Sequence, residues 1–282
     1  VGVVGGAARL GYRWLEPMGL GWLVLALAGG AAAGWLGYLG WRARRERALD
    51  ALADRAAVAV LDAPSRPAAI RELTVASARA RGRRPAEHAR LTLVLATLLE
   101  ADGDARGALE ALDEVTGEGL APPLRAIVRH ARAVAHLSSG DPEAARAALD
   151  AGAEPSGDAG VELRIRLMRG LIAAEMGDPA EARRVATAAR EEAFDDEDLR
   201  VEARVLEAVA LDAGGERDEA IARMRKLGDE MLDVLSVLGL PRVRALAAEA
   251  IEASGEGRQP WARRNSSISS AGASTHAAST KP

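Results

Sequence analysis

From about residue 86 to 227 the apolar and polar positions follow one block pattern, four times over. A long stretch with apolar residues three and four apart ends at a Gly followed by an acid. A shorter amphipathic stretch then opens, with an Ala five residues after the Gly and an apolar residue four further on. The marks are Gly103 with Ala108, Gly140 with Ala145, Gly177 with Ala182 and Gly215 with Ala220, at steps of 37, 37 and 38 residues. So regular a period predicts an array of helical hairpins, each burying its apolar face on its neighbours because one hairpin alone cannot form a core. Helix A ends at the Gly, which accepts the positive φ of a C-terminal cap. Asp141-Pro142 and Asp178-Pro179 then read as an N-cap and a proline at the first position of helix B.

Within helix B the pairs Ala108 and Leu112, Ala145 and Leu149, Ala182 and Ala186, and Ala220 and Met224 stand one turn apart on one face, and the small Ala lets the two helices approach. Ala69 and Leu73 keep that spacing behind Pro64, which predicts a degenerate earlier unit and about five hairpins between residues 46 and 227. Helix A is strongly amphipathic. Its charged stripe holds Arg129 and Arg132, Arg166 and Arg169, then Arg204 and Glu207. Its apolar stripe includes Val134, Leu167, Leu171, Val205 and Val209.

These repeats, a helix, a Gly-containing turn and a second helix with a small and then a large apolar residue, resemble the tetratricopeptide (TPR) family over about residues 86–227. The helix B half matches the family pattern and the helix A half departs from it. The resemblance implies an all-α, α-solenoid fold and a protein-interaction role, with specificity in a groove formed by successive A helices. The family's recognition of a C-terminal carboxylate uses paired Lys and Asn side chains. No Asn occurs in the array, so that mode is not expected.

Ahead of the array, Met18 to Trp41 is a run of 24 residues without a charge. As a helix it extends about 36 Å and crosses a hydrocarbon core of about 30 Å. Trp14 and Trp22 at one end and Trp35, Tyr38 and Trp41 at the other stand where interfacial belts form. The rival reading is a cleaved signal peptide with Ala31-Ala32-Ala33 as the cut, against which the apolar run continues through Leu39. Four arginines (Arg42, Arg44, Arg45, Arg47) follow the span and two (Arg9, Arg13) precede it. The repeats are therefore expected on the cytoplasmic side, and the resemblance implies a bacterial inner membrane. Ala26, Gly30 and Gly34 lie four apart on the span, a small-residue face on which two copies could pack as a homodimer. The domain expectation is a flank at 1–17, the membrane helix at 18–41, the helical array with closing helices at 42–255 and a disordered Ser, Ala and Thr tail at 256–282.

Composition removes several function classes. A net charge of −4 spread as alternating Arg and Asp or Glu argues against nucleic acid as a partner. With no cysteine there are no disulfides and no cysteine-held metal. No phosphate-binding loop, dinucleotide fingerprint, HExxH or GxSxG motif is present. His130 and His136, six apart on one helix, point about 240° from each other and cannot share a metal. Asp195 to Asp198 is expected to begin a helix and not to bind a cation. Neither a catalytic residue nor a cofactor or metal site is therefore expected.

The apolar run from Met231 to Leu240 is apolar nearly all round as a helix and predicts an element buried on two sides. Leu240-Pro241 breaks it from a second helix carrying Val243, Leu246, Ala250 and Ile251. The first of the pair is expected on the fourth repeat, around Val205, Val209 and Met224, closing the array. The functional expectation is a non-enzymatic, membrane-anchored scaffold or adaptor with an unidentified protein partner. The alternative is an envelope-side chaperone or assembly factor receiving exported polypeptides.

Overall fold

The computed structural model describes residues 51–254 apart from Ala153, Phe194, Asp195 and Gly239. The flank at 1–17, the span at 18–41 with Ala26, Gly30 and Gly34, and the tail at 256–282 lie outside the described residues. The chain falls into two units, Val1–Asp54 and Arg55–Pro282. The second unit is helical, and no strand occurs among the described residues.

Residues 55–61 are helical (α1) and a short 3-10 turn, Ala63–Ser65, leads to α2, Arg66–Ala80. Then come α3 (Pro85–Ala101), α4 (Ala105–Asp113), α5 (Pro122–Ser138) and α6 (Pro142–Asp150). They are followed by α7 (Ala159–Glu175), α8 (Pro179–Glu192), α9 (Glu197–Ala213) and α10 (Arg217–Arg225), with α11 (Asp229–Leu238) and α12 (Pro241–Glu252) last. The long members α3, α5, α7 and α9 are the A helices. Each is followed by its shorter partner, α4, α6, α8 or α10.

Four nearly identical caps make the hairpins. Gly103, Gly140, Gly177 and Gly215 all adopt φ between +80° and +87°, a region that only Gly enters freely. The amide after each Gly donates back to a carbonyl five residues earlier: Asp104 to Leu99 at 2.8 Å, Asp141 to His136 at 2.9 Å, Asp178 to Ala173 at 2.8 Å and Glu216 to Leu211 at 3.0 Å. This closes the last carbonyls of helix A. The acid's carboxylate then starts helix B, accepting from the amides of Gly107 (2.8 Å), Ala144 (2.9 Å) and Glu181 (3.0 Å). Glu216, one methylene longer, makes no such cap and takes an ion pair from Arg183 instead. The degenerate first unit turns differently: Arg66 donates to the carbonyls of Val60 and Ala101, tying α1 to the end of α3.

Each helix packs on the next, and the A helices also pack on one another in order, α3 on α5, α5 on α7, α7 on α9. The interhelix layer is made of small and large residues in alternation. Ala108, Ala145, Ala182 and Ala220 are fully buried, as are Leu112 and Met224, with Leu149 and Ala186 nearly so. At Gly170 an added Cβ would stand 2.6 Å from Leu206 Cδ2 and 3.1 Å from Val185 Cγ1, so α7 meets α8 and α9 at close quarters.

The end of the chain departs from the sequence expectation. The place on the fourth hairpin is taken by α12, which packs on α9 and α10 with Val243, Leu246, Ala247 and Ala250 buried. Two arginines fasten it: Arg217 to Glu249, and Arg242 to Asp212 at 3.4 Å and Glu175 at 3.5 Å. α11 packs on α12, as expected, but touches the fourth hairpin chiefly at α10 and reaches α3, the A helix of the first regular hairpin. An all-round apolar helix satisfies either arrangement in sequence, and in the structure the buried row Val243, Leu246, Ala247 and Ala250 seats α12 on the open hairpin.

Candidate functional site

A cavity of about 350 Å³ lies along the A helices. Its lining follows the repeat. The residue ten before each capping Gly is Leu93, His130, Leu167 and Val205, and the last three of these face the cavity. Four positions later on α5 and α7 stand Val134 and Leu171, which also line it, and α9 adds Val201. The opposite wall comes from α11 through Met231 and Leu235, with Leu240 and Val243 at the corner. The result is a mostly apolar trough.

One end of the trough is polar. Arg164 Nε donates to Glu202 Oε1 at 3.0 Å, both side chains about 40 % exposed, with Asp198 beside them. Burial pushes the Glu202 carboxyl above its ordinary range; Arg164 opposes this, and Asp196 and Asp198 add to it. His130 stands half-buried at the same end, where burial, reinforced by the charge of Arg164, lowers its imidazole to about 4. It is therefore neutral at physiological pH, and each ring nitrogen offers a donor or an acceptor but no charge. This His in a row otherwise made of Leu and Val is a signal that the sequence carries only after the repeats are aligned residue by residue.

The charged stripe has another task. Arg132 donates to the carbonyls of Leu112 (2.8 Å) and Val115 (3.0 Å) and pairs with Asp113. Arg169 pairs with Asp150 at 3.1 Å, and Glu207 with Arg190 at 3.7 Å. Each contact runs from an A helix to the C-terminal part of the preceding helix B, where cations meet the negative end of the helix dipole; in the last pair the signs are exchanged. This stripe therefore joins hairpins. Within one hairpin, Arg129 donates to the carbonyls of Ala151 and Glu154, just past the end of α6.

Ser77, His88 and Thr92 form a second polar cluster, between α2 and α3, with Ser77 Oγ 2.9 Å from both His88 Nδ1 and Thr92 Oγ1. The pairing of hydroxyl and imidazole resembles an activated nucleophile, but all three are at most 5 % exposed and no carboxylate joins them. The cluster zips two helices together. Among the described residues no group of three or more His, Cys, Asp or Glu could hold a metal ion. The acids at 196–198 begin α9, where Asp196 accepts from the Leu199 amide at 3.1 Å. No helix among the described residues is long and apolar enough to cross a membrane.

The repeat-marking residues Gly103, Ala108, Gly140, Ala145, Gly177, Ala182, Gly215 and Ala220 sit in the turns and the interhelix layer, away from the cavity lining. The trough is lined by other positions of the same repeats. In comparisons with known proteins the chain matches no family model, no curated protein and no solved structure.

Proposed function

We propose that this chain is a TPR-like α-solenoid, anchored in a membrane by residues 18–41, that acts as a non-enzymatic scaffold and binds a protein partner along the face of its A helices. The observation that carries the reading is the trough: equivalent positions of three successive repeats converge on one apolar cavity with a polar end. Pockets of this make, mostly apolar with a few placed polar groups, are binding sites.

The anchor rests on the charge-free run from Met18 to Trp41 and its flanking aromatics, and the cytoplasmic placement on Arg42 to Arg47. Both are tested together. The full chain should stay with membranes through an alkaline wash, because hydrocarbon burial is indifferent to screening of charge. A reporter active only in the cytoplasm, fused after Pro282, should be active. Release by the wash would reject the span. Activity of an external reporter alone would replace the cytoplasmic scaffold by the envelope-side chaperone.

A further inference from the structure

Two consecutive helices at the end of the array are held very differently. In α12 the residues Val243, Leu246, Ala247 and Ala250 are buried and three ion pairs fasten the helix to α7, α9 and α10. In α11 the apolar residues Met231, Val234, Leu235 and Val237 are only half-buried, and Leu232 alone of its described side chains is fully so. A helix this apolar would be buried all round in a finished core. Here it borders an unfilled cavity through Met231 and Leu235. Its ends are a turn at Gly228, with φ +86°, and the extended Leu240 followed by Pro241.

Position matters as much as looseness. The A-helix rows that line the trough face α11, and α11 extends along them to α3. We propose that α11 is the trough's built-in occupant, an intramolecular stand-in for an apolar helix of the partner protein, and that partner binding requires its displacement. The inference rests on reading the A-helix face as the partner-binding surface. The occupant's chemistry defines the partner's: a helix with large apolar residues at adjacent positions and again four further on, as at Met231, Leu232 and Leu235, and with an acidic first turn, as at Asp229 and Glu230. A tethered segment competes at an effective concentration on the order of millimolar, so it suppresses weak ligands and yields to better ones. α12 stays in place throughout and keeps the last hairpin covered.

The test uses the chain's own segment as probe. A fluorescent peptide of residues 229–240 is titrated against the full chain in detergent micelles. Met231→Glu with Leu235→Glu, which loosens α11 and leaves the core residue Leu232 intact, should bind the peptide at least about 10-fold more tightly than the wild type. The absence of native cysteine allows a second arm that needs no destabilised variant: Val134→Cys with Leu235→Cys, bridged by a short bismaleimide, should lose peptide binding relative to the same chain before bridging. An opened chain with wild-type circular dichroism that binds no better than the wild type would overturn the proposal. So would a bridged chain that binds as the unbridged one does. Neither result would touch the membrane-scaffold reading, which the wash and the reporter decide separately.

Discussion

Among the described residues, His130 and Glu100 are the two side chains whose ionisation the fold shifts furthest toward neutrality near pH 7. Burial raises the Glu100 carboxyl to about 7, against the pull of Arg244, and burial with Arg164 lowers His130 to about 4. Their linkage to stability has opposite signs. The Glu100 contribution is complete below its unfolded value near 4.5 and is lost as pH rises through about 7. The His130 contribution is complete above its unfolded value near 6.5 and is lost as pH falls toward about 4. The two offset each other in the wild type, so single variants separate them. Melting temperatures of the full chain across pH 4 to 8 should show Glu100→Gln gaining on the wild type as pH rises. His130→Leu, which restores the residue type of its row, should gain as pH falls. Differences that do not vary with pH would show that these groups are solvated.

At the scale of the element, the helix caps were legible in the sequence and the closing pair was only half so. A Gly at positive φ and an Asp accepting from an amide three residues on are local arrangements, set by a few neighbouring residues. The seat of α11 depends on contact with α3, more than a hundred residues away, which no local pattern encodes. The apolar stripe on the A helices was equally visible, but periodicity says that Val134, Leu167 and Leu171 share a face without saying what meets it. The two closing helices should therefore respond differently to truncation. Leu246→Ala removes a fully buried side chain from α12 and should cost about 2–5 kcal/mol. Met231→Ala, at a half-buried site beside an existing cavity, should cost less than about 1 kcal/mol. Denaturant unfolding of the two variants checks the contrast, and equal losses would make α11 as much a part of the cap as α12.

On the scale of the whole molecule, the A helices carry two stripes, one lining the trough and one paired with neighbouring helices. Arg132 and Arg169 of the A helices are occupied by the preceding helix B, whereas His130, Val134, Leu167 and Leu171 of the same helices line the trough, with Arg164 at its polar end. A partner should accordingly be found on one side only. The direct measurement is site-specific photo-cross-linking of the full chain in its native membrane, with the reactive group at Val134 or Leu171 in the trough, or at Arg106, whose side chain is 90 % exposed on α4. It is made in the wild type and in the chain carrying Met231→Glu and Leu235→Glu. The scaffold account predicts one discrete protein adduct at both trough positions, stronger in the opened chain, and none at Arg106. No adduct at Val134 and Leu171 in either background, or the same adducts at Arg106, would contradict it.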